Sequence, residues 1–238
     1  LAKSEFVSFV SHELKNPMTS IKGYSELLSA KAVGPVNEAQ MNFLNTIRSN
    51  VDRMATLVSD LADESRIEAG RLRLDFEAID ANVIIGEVIR SEIRMIEEKK
   101  LELVITIPQD LPHIWADRTR LVQVLTNIVS NARKYTPEDG KIIISAEAGE
   151  NKWDPDGSAR VIHFWVEDNG LGISLEDQEK IFQKFFRADD VETREVPGTG
   201  LGLNITRSLV EAQGGEIWFK SEYRVGTSFH FTVPVSEQ

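Results

Sequence analysis

Gly198-Thr-Gly200-Leu-Gly202-Leu203 stands directly before a helical pattern near Leu203–Gln213 with no strand ahead of it, and that placement decides the fold. The glycines share part of the spacing of a dinucleotide-binding fingerprint, which needs a preceding strand and an acid placed to hold a ribose. Both are missing, so a doubly wound sheet is excluded. Outward from the cluster, alternation predicts strands at Leu101–Ile107, Lys141–Ala148 and Val161–Asp168, a short strand through Leu74, Phe76 and Ile79, and a final hairpin of Glu216–Ser221 and Ser228–Val235. Helical spacing runs from Val83 to Ile96, and Asp117 is placed to cap a helix reaching about Tyr135. Strands mixed with helices without a strict βαβ rhythm predict a two-layer α+β sandwich.

The N-terminal part reads differently. Val7, Val10, Leu14, Pro17, Ile21, Tyr24 and Leu28 recur at alternating spacings of 3 and 4, a heptad seam. Gly34 and Pro35 stop this helix, and Asn37 can cap a second of about 30 residues, with Phe43, Ile47, Met54, Leu57 and Leu61 on its stripe and Leu44, Val51 and Val58 beside it. A two-helix hairpin cannot cover an apolar stripe on both sides. A second copy closes it into a four-helix bundle, so residues 1–70 are expected to dimerise and Gly70 to mark the boundary with a second domain, 71–238.

Composition removes several functions. The 238 residues carry 38 acidic against 27 basic side chains, a net charge of −11 that repels a phosphate backbone, so no nucleic-acid partner is expected. Without cysteine there is no disulfide, thiolate metal site or thiol nucleophile. Apolar runs such as Ala81–Gly86 and Val122–Leu125 fall far short of the roughly 20 residues that span a bilayer. The chain opens at Leu1 in mid-helix, without an initiator Met, and is expected to be a fragment. It is expected to be cytoplasmic and free of membrane contact, any anchor lying upstream.

With Val7 at heptad position a, His12 falls at f, facing away from the seam. Glu13 follows at once and is able to orient the imidazole, Asn16 comes one turn on, and Pro17 removes a helical hydrogen bond just beneath the histidine. A neutral imidazole is a competent nucleophile. By contrast His113 follows a proline and precedes a strand, and His163 and His230 lie in alternating strands where a structural role is expected. In Asn127-Ile-Val-Ser-Asn131-Ala-Arg-Lys134-Tyr135, Asn127, Asn131 and Lys134 share one helical face, two amide oxygens and an ammonium suited to a hydrated magnesium ion and its phosphates. Asp168-Asn-Gly170-Leu-Gly172 after a strand, and the second glycine cluster before a helix, let backbone approach a ligand and offer N–H groups to phosphate. The residues between them, Ile173–Pro197, read as a lid, within which Ile181–Phe186 is either an amphipathic docking turn or a small satellite core.

The segment Phe9-Val-Ser-His12-Glu13-Leu-Lys-Asn16-Pro17 resembles the phosphoacceptor H box of sensor histidine kinases. Asn127–Tyr135, Asp168–Gly172, Phe182–Arg187 and Gly198–Leu203 resemble, in the same order, their N, G1, F and G2 boxes. The resemblance covers nearly the whole chain. It implies a dimerisation and phosphotransfer hairpin followed by an ATP-binding domain of the Bergerat type. Carried over by residue, it makes His12 the phosphoacceptor at Nε2, Glu13 the adjacent base, and Asn16 the residue that positions water for dephosphorylating a partner. It makes Asn131 the Mg²⁺ ligand with Asn127 beside it, Lys134 a phosphate contact, Tyr135 and Arg187 part of the nucleotide site, and Asp168 the acceptor for the adenine amine, supported through water by Thr227. Gly170, Gly172, Gly198, Thr199, Gly200, Leu201, Gly202 and Leu203 complete the ATP site. The motif after Asp168 continues Ile-Ser-Leu-Glu where the family often has Ile-Pro.

Gyrase-like relatives of that family carry a Glu at the position of Asn127, and an amide cannot replace it as the base that activates water. The implied reaction is therefore phosphoryl transfer from Mg²⁺–ATP to His12, then to an aspartate on the receiver domain of a separate response regulator, since the chain ends at Gln238 just after its last strand. The alternative is a kinase-silent ATP-binding scaffold or regulator phosphatase.

Overall fold

The computed structural model describes residues 2–152, 158–188 and 198–236. They form two compact units, Leu1–Leu72 and Arg73–Gln238.

The first unit is a hairpin of α1 (Ala2–Ser29) and α2 (Glu38–Glu68). Asn37 closes a capping box: its Oδ1 accepts from the Gln40 N–H at 2.8 Å while Gln40 Oε1 accepts from the Asn37 N–H at 2.8 Å. Within one copy the buried residues sit beside the seam expected from spacing, which itself stays largely exposed. On α1 the buried residues are Ser11, Met18 and Ser25, each one position beyond Val10, Pro17 and Tyr24; on α2, Leu44 and Val51 are buried. Both serines satisfy their hydroxyls on their own helix, Ser11 to the Val7 carbonyl and Ser25 to the Ile21 carbonyl, each at 2.7 Å. Small residues allow the two backbones close approach. Leu14, Ile21, Tyr24 and Leu28, with Phe43, Ile47, Met54, Leu57 and Leu61, stay exposed. That is a continuous apolar surface of the kind a lone soluble protein rarely shows.

The second unit has β1 (Phe76–Ile79), α3 (Ala81–Glu98), β2 (Glu102–Thr106), β3 (Ile114–Asp117), α4 (Arg118–Tyr135), β4 (Lys141–Glu150), β5 (Arg160–Asp168), α5 (Leu175–Gln178), α6 (Gly202–Ala212), β6 (Ile217–Glu222) and β7 (Gly226–Pro234). The main sheet has the order β2-β4-β5-β7-β6, with β2 and β4 parallel and the other pairs antiparallel. β1 and β3 pair separately. This is the expected two-layer α+β arrangement. The strand expected directly after His113 is β3, whereas α5 escaped the sequence reading because four residues are too few to show a period. The polar insert expected at Gly149–Ala159 is shorter, as β4 runs to Glu150 and β5 starts at Arg160; residues 153–157 lie outside the described residues. So do residues 189–197 of the expected lid, whose earlier part is the helix α5 and turns up to Ala188 rather than plain loop.

One face of the sheet carries the core. Ile142, Ile144, Ile162, Phe164, Val166 and Phe231 are buried together with Ile84, Ile85 and Val88 of α3 and Leu121, Val124, Leu125 and Ile128 of α4. Asp117 fixes the start of α4, accepting from the Arg120 N–H at 3.0 Å through Oδ1 and from the Asp75 N–H at 2.9 Å through Oδ2.

The opposite face covers itself with rings. His163 stacks on Trp165, Trp218 and His230 at 4.9, 5.2 and 5.2 Å between centroids. A hydrogen-bond chain threads them. Because Glu147 is an acceptor, His163 Nδ1–H donates to it at 3.3 Å, His163 Nε2 then accepts from His230 Nδ1–H at 3.0 Å, and His230 Nε2 accepts from Ser228 Oγ–H at 2.6 Å. Every nitrogen has one role only while both rings are neutral. Burial, helped by the other imidazole and Lys220 on β6, holds His230 down at about 4; burial also lowers His163 against the opposing pull of Glu147 on β4. The unfolded chain therefore takes up more protons below pH 6.5, and stability falls as the pH drops from there through about 4. Urea unfolding at pH 7 and pH 5 is expected to show the wild type losing about 1 kcal/mol more than His230→Phe, after discounting for the water that still reaches the ring. Equal losses in both proteins would refute the neutral chain.

Candidate functional site

The predicted nucleotide-site residues start from α4. Its buried residues Leu121, Val124, Leu125, Ile128 and Val129 turn Asn127, Asn131 and Lys134 to the other side, where all three are half-buried. Asn127 reaches α6: its Nδ2–H donates to Thr206 Oγ1 at 2.7 Å. Its Oδ1 lies against Gly202, where a β-carbon would come within 2.7 Å. A side chain at Gly202 would have to displace the Asn127 amide. Thr206, buried one turn after Gly202, was not singled out from sequence, although its spacing of four from the glycine puts both on one helical face.

The start of α6 is open. Its N-cap position is Leu201, which makes no side-chain cap bond, so the first backbone N–H groups of the helix are left for an anion. Ahead of it, Thr199 Oγ1 accepts from the Leu201 N–H at 3.1 Å, and Gly200, at φ +74°, lies against the backbone of Phe185. Leu201 is buried, whereas Gly198 and Leu203 are half-exposed.

At the other end of the cleft Asp168 closes β5 opposite Thr227 of β7. Its Oδ1 accepts from the Gly170 N–H at 2.9 Å, and burial raises its carboxyl to about 6 despite help from the Gly170 and Thr227 N–H groups. Thr227 Oγ1 in turn pairs with Ser221 Oγ at 2.8 Å. The glycine turn after Asp168 is joined to α4, the Leu171 N–H donating to the Tyr135 carbonyl at 3.1 Å. A β-carbon on Gly170 would meet that same carbonyl at 2.5 Å, and one on Gly172, at φ +64°, would strike the Glu222 carbonyl. Burial pushes the Tyr135 hydroxyl up, opposed by the Arg187 guanidinium.

In segment 181–188, Ile181 is buried and Phe182 meets Phe219 edge-on at 6.0 Å, the contacts of a small satellite core, while Phe185 stays exposed. The α4 asparagines, both glycine motifs, Asp168, Thr227 and Arg187 thus converge on one unit. His12, Glu13 and Asn16 lie in the other. There the His12 side chain is 74% exposed, and its Nδ1 meets Glu13 Oε1 at 3.2 Å. Asn16 is exposed too, its carbonyl accepting from Ser20 Oγ at 3.3 Å. No helix among the described residues is long and apolar enough to cross a membrane.

An open helix N-terminus at one end of a cleft and a buried carboxylate at the other suit the phosphates and the base of a nucleotide, so fold and site together define a nucleotide-binding class. The chain belongs to the sensor histidine kinases: residues 116–237 match the histidine kinase-, DNA gyrase B- and HSP90-like ATPase family, and residues 2–70 the His Kinase A phospho-acceptor domain. It is 34% identical over 236 residues to the sensor histidine kinase WalK of Bacillus subtilis, covering 99% of this chain and 37% of that protein. The non-motile and phage-resistance protein of Caulobacter vibrioides is 35% identical over 235 residues, 98% of this chain and 27% of that one. This chain therefore spans about a third of the curated relatives it matches. Full-length ShkA, solved in complex with AMPPNP, superposes with a TM-score of 0.76 at 28% identity, covering 98% of this chain and 46% of ShkA.

Asp168 carries a cost in the nucleotide-free protein. With its folded value near 6 against 3.8, the penalty on the charged form is present above pH 6 and relieved as the pH falls toward 4. Asp168→Asn is expected to stabilise the free protein at pH 8 by at most about 3 kcal/mol, less what the turned amide loses, and by progressively less at pH 5. Denaturant unfolding at the two pH values checks this. A pH-independent change would contradict it.

Proposed function

We propose that this chain is the catalytic core of a Mg²⁺–ATP-dependent protein histidine kinase that phosphorylates its own His12 and hands the phosphoryl group to an aspartate of a response regulator. The observation that carries the reading is the state of His12. With Nδ1–H directed at the Glu13 carboxylate, the Nε2 lone pair points outward from an exposed helix face. Nε2 attacks the γ-phosphorus, the bond to the β–γ bridging oxygen breaks, ADP leaves, and Glu13 accepts the Nδ1 proton, so that the ring made cationic by the new N–P bond becomes neutral. Such a transfer needs the nucleophile in line, so the two units must bring His12 to the cleft.

In the cleft, Asp168 accepts from the adenine amine with Thr227 and its Ser221 partner behind it, and Tyr135 lines the base. The N–H groups at the start of α6 with Lys134 and Arg187 receive the phosphates, and Gly170, Gly172, Gly198, Thr199, Gly200, Leu201, Gly202 and Leu203 shape the walls. The residues fit a magnesium ion held with phosphate oxygens: α4 offers Asn131 Oδ1, with Asn127 Oδ1 beside it, and magnesium takes few protein ligands when substrate oxygens are present. When bound it neutralises charge on the phosphates. Asn127, already donating to Thr206, supplies no base, which favours transfer over hydrolysis. Asn16, one turn from His12, fits the water-positioning role for regulator dephosphorylation. The exposed apolar surface of the hairpin supports a homodimer closed into a four-helix bundle.

With labelled ATP, His12→Gln is expected to lose all acid-labile phosphoprotein and keep nucleotide binding, whereas Asn131→Ala loses labelling through the metal and binds ATP more weakly when Mg²⁺ is present. Persistent labelling of His12→Gln would overturn the phosphoacceptor assignment. Light scattering should give twice 26.7 kDa for the wild type and shift toward the monomer for Ile21→Glu/Leu57→Glu. A monomeric wild type at micromolar concentration would exclude the bundle.

A further inference from the structure

Segment 181–188 is held to α6 by a residue with no role so far. Asn204, two residues into α6, donates its Nδ2–H to the Phe182 carbonyl at 2.9 Å, while its buried Oδ1 has no hydrogen-bond partner among the described residues. A side chain present only to fill space would not carry an unsatisfied buried acceptor. The other contacts fall on the same segment. The Phe182 ring lies 5.7 Å from the Arg207 guanidinium, one helical turn beyond Asn204, and edge-on to Phe219. Three residues on, Phe185 is 65% exposed at φ +63°, a left-handed conformation that costs an aromatic residue, with Gly200 packed on its backbone. Two residues further, Arg187 acts on the Tyr135 hydroxyl. The segment thus bridges the first turn of α6 and the end of α4, and its strained middle needs holding at both sides.

We propose that Asn204 is a positioning residue: its amide latches the Phe182 carbonyl to the first turn of α6, so that segment 181–188 presents Arg187 to the phosphates bound at that helix start. This rests on the nucleotide reading of the cleft given above. The latch acts through Arg187, and a double-mutant cycle isolates that action.

Binding of a non-hydrolysable ATP analogue to the full chain is measured by calorimetry with Mg²⁺ for wild type, Asn204→Ala, Arg187→Ala and the double variant, with thermal melts alongside. Asn204→Asp, of equal size but without the N–H, keeps the test open if removal of the side chain unfolds the protein. Asn204→Ala and Asn204→Asp are expected to weaken binding about five-fold, the worth of one hydrogen bond. In the Arg187→Ala background the same substitutions change it less than about two-fold. Equal weakening in both backgrounds marks a merely structural residue and overturns the proposal, as does unchanged binding by Asn204→Asp or by Arg187→Ala. A wild type that fails to bind the analogue overturns the nucleotide reading itself, a result distinct from wild-type binding that Asn204 does not alter.

Discussion

Helix α6 is tied to α4 by the hydrogen bond from Asn127 to Thr206 and by the close approach of the Asn127 amide to Gly202. A β-carbon there would have to displace that amide, and the Asn127 Nδ2–H bond to Thr206 joins the two helices through their polar faces rather than their apolar ones. Much follows from this approach. It brings the start of α6 to Asn127, and it fixes where segment 181–188 must cross, since Asn204 and Gly200 hold that segment from the same short stretch. Helix ends and glycine backbone meet here, and both leave backbone N–H groups open to an anion.

A second constraint runs along β5 and β7. Their antiparallel register pairs Asp168 with Thr227 at one end and sets His163 and His230 within one hydrogen bond further along. The two places respond to acid in opposite senses: the carboxylate is relieved by protonation, whereas the imidazole chain is broken by it. Burial is the cause in both cases, because each group loses hydration when charged. A strained acceptor at the cleft end is a feature of a site built for a donor. The ring chain, by contrast, is how an otherwise open sheet face is covered.

Much of this was legible in the chain. Asp117 and Asn37 announced their helices, since a side-chain acceptor before an apolar period is a local signal. The α4 face of Asn127, Asn131 and Lys134 followed from helical spacing alone, and His12 at an outward heptad position is exposed as that position requires. α5 was too short to carry a period, whereas the strand expected after His113 is β3. Within one copy the positions beside the predicted seam are buried and the seam itself is largely exposed, because spacing shows which residues are apolar, not which partner each will meet. Ser11 and Ser25 are buried as polar residues whose hydroxyls are satisfied within their own helix, a burial that hydrophobicity does not announce.

The sequence by itself determined the elements, the α+β class and the residue types of the site, all of which depend on neighbours within a few positions. Tertiary structure alone decided the pairings between distant segments: Asn127 with Thr206, Asn204 with the Phe182 carbonyl, His163 with His230. It also decided the raised carboxyl of Asp168, because desolvation depends on everything packed around a group and not on the residues beside it in the chain.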